Sequence, residues 1–309
     1  MVGREASGEL LPAVRQARIL ELVRQEGATS IQRLAFAVGA SLSTIRRDLD
    51  SLTEGGYLER THGGALLNAR LRTTFEPASN IASKVALAEK RAIGAYAAGL
   101  VEDGQSVVLD SSSTVHEAAR AIVRRGIKLT AVTNDLGIAT TLGTVAGIDV
   151  IVLGGRLRRD SLTLLGEPGQ GFINTLHVDL ALIGAQSLAG LRASDSAIEV
   201  ASMKRGLIDA ARRAVLLADS SKFADRSFCE ICPIGTFNEV VTDSGIPAAE
   251  REALHRLGTK VTVVEPSSPP AKARRGQMNA AIPLADDLTG ALDAEPLLTP
   301  TSLPPCPVW

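Results

Sequence analysis

Along residues 13–67 the apolar positions recur at intervals of three and four in three short blocks, each closed by glycine. Ile19, Leu20 and Val23 share one face of a first helix that stops at Gly27, with its basic residues expected outward. Ile31, Leu34, Ala35 and Val38 form a second helix, N-capped by Thr29 or Ser30 and ended at Gly39. A third helix starts with Ser41 as its cap and buries Ile45, Leu49 and Leu52, which leaves Leu42, Ser43, Thr44, Arg46 and Arg47 free near its beginning. Beyond Gly55 and Gly56, residues 57–61 and 65–67 flank a turn at His62, Gly63 and Gly64, so a small hairpin is expected. Three helices and a hairpin in this order outline a winged helix-turn-helix over residues 13–67.

The pattern then changes. Residues 68–83 show no sustained period and carry Pro77, as a linker does. A helix is expected over 84–101, with Val85, Leu87, Ala88, Ala92, Ile93, Tyr96, Ala97 and Leu100 on its apolar face. Seven short β-rich runs follow, at 106–109, 130–133, 149–153, 180–183, 214–217, 240–242 and 261–264, most of them ending in a small polar loop. Helices between them imply an α/β domain over 84–265 with a mostly parallel sheet, whose strand C-termini open on one edge. Residues 184–196 lack a period and are expected to form a lid or a dimer contact. A helix over 197–213 should turn Ile198, Ala201, Leu207 and Ile208 inward and Lys204, Arg205, Arg212 and Arg213 outward. From residue 266 the chain is rich in Pro, Ala and Ser, so the tail 266–309 reads as disordered, with a short helix around 286–294.

Composition narrows the chemistry. With 309 residues and 45% hydrophobic content the chain can bury two cores, while a net charge of -1 means that any nucleic-acid contact must come from a local patch. Arginine supplies that patch: no Lys precedes Lys84, and Arg15, Arg18, Arg24, Arg33, Arg46, Arg47 and Arg60 fall in the first region. No run of about 18 apolar residues occurs and no secretory signal is read at the start, so no membrane partner and a cytoplasmic location are expected. Cys229 and Cys232 make a lone C-x-x-C whose only further Cys is Cys306, and His62, His116, His177 and His255 are scattered; ordinary packing, no metal and no cofactor are expected.

Two sites follow from residue types and placement. At the start of the third helix, Ser41, Ser43 and Thr44 can bond bases or phosphates, and Arg46 or Arg47 can reach guanine O6 and N7 with two hydrogen bonds; Arg60 and His62 on the hairpin can touch the DNA backbone. At the open sheet edge, Asp110, Ser111, Ser112, Ser113 and Thr114 place hydroxyls and amides at a helix start, where phosphate binds. Asn134, Gly154, Gly155, Gly184 and Ala185 end other strands at that edge, and Lys204 and Lys222 add positive charge. Asp110 and Asn134 can instead bond sugar hydroxyls.

The string from Thr44 to Leu49 (TIRRDL), followed by residues 60–65 (RTHGGA), resembles the N-terminal domain of the DeoR family of bacterial transcriptional regulators. The resemblance continues from about residue 84 to 265 through LDSSST at 109–114, TN at 133–134, LGG at 153–155, IGA at 183–185, Glu199 with Lys204, and ADSSKF at 218–223. It implies a sensor domain that shares its fold with ribose phosphate isomerases and CoA transferases and whose usual effectors are phosphorylated sugars. It further implies a double-stranded DNA operator, a homo-oligomer and a repressor. The chain departs from the family at Ser112, at Gln186 and Ser187, and over 188–194, which bears on effector identity more than on fold. An isomerase or transferase is the rival reading, and a regulator with an empty sensor domain is another. Gln186 stands where related isomerases carry an acid, and Glu199 falls within a helix, so no catalytic residue is assigned.

Overall fold

The computed structural model describes residues 12–67, 73–74, 82–159, 161–223 and 226–266. The expected disordered tail, Cys306 and most of the expected linker lie outside them. Residues 12–67 form α1 (Pro12–Glu26), β1 (Ala28–Ser30), α2 (Ile31–Val38), α3 (Leu42–Glu54), β2 (Leu58–Thr61) and β3 (Gly64–Leu67). The caps are those the sequence offers. Ser30 Oγ accepts from Arg33 N, Gly39 closes α2 at φ 65°, and Ser41 Oγ accepts from Thr44 N. Strand β1 was not foreseen; it pairs antiparallel with β3 and makes the wing three-stranded. The pairing is so close at Gly64 that a Cβ there would stand 2.0 Å from the Thr29 carbonyl oxygen.

Ile19, Leu34, Ile45 and Leu49 are fully enclosed in the core of this unit, each contributing about 1.5–3 kcal/mol of burial. The outward placement expected for the basic residues of α1 fails at Arg15. Its guanidinium is buried and grips the Asp48 carboxylate through Nε and, at 3.1 Å, through Nη2. A charge taken out of water needs such a partner, and this pair fastens α3 to α1. Val85, beyond the linker in sequence, also packs on this core.

The rest is an α/β unit. A seven-stranded sheet runs in the order β15-β14-β12-β9-β4-β5-β6, from β4 (Ser106–Leu109), β5 (Leu129–Thr133), β6 (Ile148–Val152), β9 (Val178–Gly184), β12 (Ala211–Leu217), β14 (Glu239–Asp243) and β15 (Lys260–Val264). Every pair in it is parallel. Helices α4 (Leu87–Gly99), α5 (Ser113–Arg125) and α6 (Leu136–Leu142) pack on one face. The other face carries α7 (Gly169–Ile173), α8 (Ile198–Asp209) and α9 (Ala248–Arg256). From β4 the chain builds outward to β5 and β6, then returns to place β9 on β4's other side. The order therefore reverses between β4 and β9, and in open α/β sheets ligands bind at such a crevice.

Two further pieces border that edge. Strands β7 (Arg156–Leu157) and β8 (Leu164–Leu165) make a short hairpin. Strands β10 (Ser187–Ala189), β11 (Arg192–Asp195) and β13 (Cys229–Pro233) make a small antiparallel sheet. Within residues 184–196, expected as a lid or dimer contact, β10 and β11 form a hairpin that buries Leu188 and Ala193 and leaves Gly190 and Arg192 exposed. The helix expected over 197–213 ends at Asp209, because residues from Ala211 enter β12. Ala201, Leu207 and Ile208 face inward as expected, joined by Val200 and Met203, but Ile198 is exposed and Lys204 is buried.

Candidate functional site

The two candidate regions can be built separately. On α3, Ser41, Ser43, Arg46 and Arg47 are exposed and Thr44 is half-buried. Ser41 Oγ lies 2.9 Å from Ser43 Oγ and 2.8 Å from Thr44 Oγ1, which gathers three hydroxyls at the helix start. Burial of Ile45, Leu49 and Leu52 turns Arg46 and Arg47 outward by helical geometry. His62 is exposed at the hairpin turn. Arg60 is also exposed, but its Nη1 donates to the Arg46 carbonyl at 3.3 Å and lies 3.2 Å from Asp50 Oδ1, so it ties the wing to α3. A surface of hydroxyls, helix amides and arginines carried on a rigid helix can sit in a DNA groove.

At the sheet edge a cleft of about 640 Å³ opens at the reversal point. Ser111, Ser112, Ser113, Thr114, Gly184 and Ala185 line it, as do Lys204 and Lys222. Ser112 caps α5 by accepting from Val115 N at 3.1 Å, so the amides of that turn face the cleft end of the helix. Gly184 comes so close to this loop that a Cβ would meet Ser112 Oγ at 2.4 Å.

Behind that contact lies a buried charge cluster. Asp110 Oδ2 accepts from Lys204 Nζ at 2.6 Å and from Gly184 N at 2.9 Å, while Lys204 also donates to the Gly184 carbonyl at 2.9 Å. Asp195 Oδ2 stands 3.6 Å from the same ammonium. Asp110 Oδ1 is enclosed with no hydrogen-bond partner among the described residues. The outward position expected for Lys204 is thus overturned by a carboxylate 94 residues earlier in the chain.

Not every expected residue reaches the cleft. Asn134 is buried beside it, with Nδ2 donating to the Leu164 carbonyl at 3.2 Å and Oδ1 unpartnered among the described residues. Gly154 and Gly155 are absent from its lining, because both are pressed against the segment after β8. A Cβ on Gly155 would stand 2.6 Å from the Leu165 carbonyl oxygen and one on Gly154 3.0 Å from the Pro168 ring.

Sequence reasoning missed several contributors. Arg158, Arg159 and Thr163 of the β7–β8 hairpin line the cleft, with His116 and Arg120 of α5. Residues 156–159 form no periodic segment that would have marked them. The Thr141 hydroxyl donates to the Gly137 carbonyl at 2.8 Å, so it accepts from His116 Nε2 at 2.9 Å, which places the imidazole hydrogen on Nε2. Burial, then Arg120, holds the His116 pKa below its ordinary value. Burial raises that of Asp135, which caps α6 by accepting from Ile138 N at 2.9 Å.

Lys90 was also missed. Its buried ammonium donates to the Ala82 carbonyl at 2.6 Å, and burial brings its pKa down to about 8, with the Asp219 charge opposing. Cys229 and Cys232 are free thiols on β13, and burial raises the Cys232 pKa to about 11, which disfavours the thiolate that metal binding needs. Among the described residues no group of His, Cys, Asp or Glu is arranged to hold a metal. No described helix is long and apolar enough to cross a membrane. Glu199, the nucleophile weighed for a transferase, is exposed on α8 and pairs with Arg156 at 3.1 Å.

Comparison with known proteins matches residues 15–70 to the DeoR-like helix-turn-helix domain and residues 85–244 to the DeoR C-terminal sensor domain. The chain is 31% identical over 268 residues to a putative aga operon transcriptional repressor of Escherichia coli, covering 85% of this chain and 99% of that protein. It is 30% identical to the HTH-type transcriptional repressor GlcR of Bacillus subtilis, over 81% of this chain and 96% of that one. Among solved structures, ribose 5-phosphate isomerase A of Methanocaldococcus jannaschii aligns with 44% of this chain and 53% of its own, at 18% identity and a TM-score of 0.33.

Proposed function

The chain belongs to the DeoR family of transcriptional regulators, and we propose that it represses transcription from an operator that it releases when a phosphorylated sugar enters the sheet-edge cleft. It acts as a DNA-binding regulator rather than an enzyme. Ser41, Ser43, Thr44, Arg46 and Arg47 meet the major groove, and His62 with Arg60 approaches the flanking backbone. The chain works in the cytoplasm as a homo-oligomer, with half-sites spaced by whole helical turns.

The observation that carries the sensing half is the buried Asp110–Lys204 pair beneath a row of hydroxyls at the start of α5. Ser111, Ser112, Ser113 and Thr114 receive the phosphate with Lys222 beside them, and the unpartnered Asp110 oxygen accepts from a sugar hydroxyl. For release, the effector must bind one arrangement of the paired winged domains better than the other, since equal affinity for both shifts nothing.

The DNA half is tested with the fragment upstream of the chain's own gene, titrated at fixed salt by fluorescence anisotropy. Arg46→Ala or Arg47→Ala should weaken binding by about 1–3 kcal/mol with the melting temperature unchanged. Wild-type affinity in both variants would remove α3 from the interface.

A further inference from the structure

We infer that residues 82–86 carry occupancy of the cleft to the winged unit, and that Lys90 is the positioning residue that lets them, by fixing Ala82 in the cleft wall. The inference rests on the phosphosugar-release reading above and assigns residues to its coupling step.

The segment is short and engaged at each end. Ala82 and Ser83 line the cleft together with Lys222 and the start of α5. Two positions past Ser83, Val85 packs against the core of the winged unit. Ala86 then stands at φ 48°, a left-handed conformation that a residue with a Cβ keeps only where its surroundings fix it, and α4 begins at Leu87. One continuous turn of chain therefore joins a wall of the cleft to a hydrophobic contact of the winged unit.

The ammonium beneath this turn makes it respond as a unit. Lys90 is 3% exposed, and its Nζ donates to the Ala82 carbonyl at 2.6 Å. Its own helix cannot follow a shift of that carbonyl: a Cβ on Gly94 would stand 2.6 Å from Ala118 N, so α4 lies pressed on α5. The charge feels both halves of the molecule, since Asp219 after β12 and Glu21 of α1 favour it while Lys222 of the cleft opposes it. A desolvated ammonium tolerates the loss of an acceptor poorly. Ala82 therefore has two separate positions, on the ammonium or far enough from it for water to take its place, and little in between.

A second tie runs the same way. Phe228 N donates to the Thr73 carbonyl at 2.8 Å, and Ser227 N donates to Ser194 Oγ at 3.0 Å. The residues before β13 thus join the linker to β11, whose Asp195 lines the cleft. Linker residues on both sides of Pro77 are fastened to elements that border the cleft. Coupling between sites is carried by packed side chains and hydrogen bonds that have discrete arrangements. An effector seated against Ser83 that favours one position of Ala82 therefore shifts the other end of the turn, where Val85 covers the winged core.

The test measures release as well as binding. The full chain is titrated onto the upstream DNA fragment by fluorescence anisotropy, without and with glucose 6-phosphate, fructose 6-phosphate, ribose 5-phosphate or fructose 1,6-bisphosphate. The affinity of each compound for the protein is taken by isothermal titration. At least one compound should loosen wild-type DNA binding by about tenfold. Lys90→Met should bind that compound and the DNA as wild type does, yet be released by less than about twofold, a split that a merely structural lysine would not produce. Val85→Ala, at the far end of the turn, should blunt release in the same way, so the outcome does not hang on one variant. Full release in either variant, or loss of either affinity in Lys90→Met, overturns the inference and leaves the phosphosugar reading standing. A wild type that none of the four compounds releases from DNA removes both.

Discussion

Two carboxylates, Glu239 and Asp110, are fully enclosed at opposite ends of the same parallel sheet, and they are partnered differently. Glu239 opens β14 and accepts from Tyr96 Oη at 2.9 Å, Thr262 Oγ1 at 2.6 Å, Arg213 at 2.6 Å and Lys260 at 3.0 Å. Its two cations reach solvent, with side chains 40% and 60% exposed. Asp110, at the C-terminal edge, has one oxygen doubly bonded and one with no partner among the described residues, and the Lys204 side chain beside it is only 4% exposed. An acceptor left open in a desolvated place costs about 1–3 kcal/mol, a cost that a bound donor recovers. The saturated carboxylate holds β12, β14 and β15 to α4, whereas the unsaturated one, enclosed behind the cleft, leaves one acceptor without a partner among the described residues.

Substitutions can break this contrast. The largest effect belongs to Lys204→Met, which takes the ammonium at 2.6 Å away from the buried Asp110 and should cost about 3–5 kcal/mol in urea unfolding. A loss below about 1 kcal/mol would mean that the cluster is open to water. Lys90 sharpens the comparison from the cationic side. Burial takes its pKa from 10.5 to about 8, so the unfolded chain binds this proton more tightly, and stability from this group rises between those pH values and is lost as pH falls through about 8. The shift is worth roughly 3 kcal/mol, and wild type should gain on Lys90→Met between pH 7 and pH 10 by most of that amount. Parallel stability curves for the two proteins would show that the ammonium is solvated.

Glu239→Gln should be the mildest. Burial raises the Glu239 pKa, but hydrogen bonds from Thr262, Lys260 and Tyr96 outweigh it and hold the group below its usual 4.5. Its contribution is therefore present above that pH and disappears as pH falls through the lowered native value. We expect a loss of about 1–2 kcal/mol at neutral pH that vanishes in acid, because Arg213 and Lys260 can rehydrate. A pH-independent loss would assign the effect to packing instead.

Local signals were readable wherever a residue's neighbours in sequence are also its neighbours in space. Ser41 and Gly39 declare the helix ends, and the alternation of strand, loop and helix yields the parallel sheet. Arg15 and Lys204 were misplaced because a charged side chain at helical spacing looks solvated until a distant carboxylate is known; those carboxylates lie 33 and 94 residues away. The antiparallel sheet of β10, β11 and β13 escaped notice for a similar reason, since β13 begins 34 positions after β11 ends and its pairing with Arg192 to Asp195 is set by space, not by a turn. Gly154 and Gly155 sit in the family's order but serve a close backbone approach. The hairpin arginines carry no period at all, so only the folded edge brings them to the cleft.

Val85 has a practical consequence for anyone dividing the chain. The winged unit ends in sequence at β3, yet this side chain, 18 positions past Leu67, covers part of its interior. A fragment cut just after the wing would lose that cover and expose apolar surface to solvent. A chimera that joins this winged unit to another sensor should therefore carry its own residues through Ala86, where the backbone turns at φ 48° into α4.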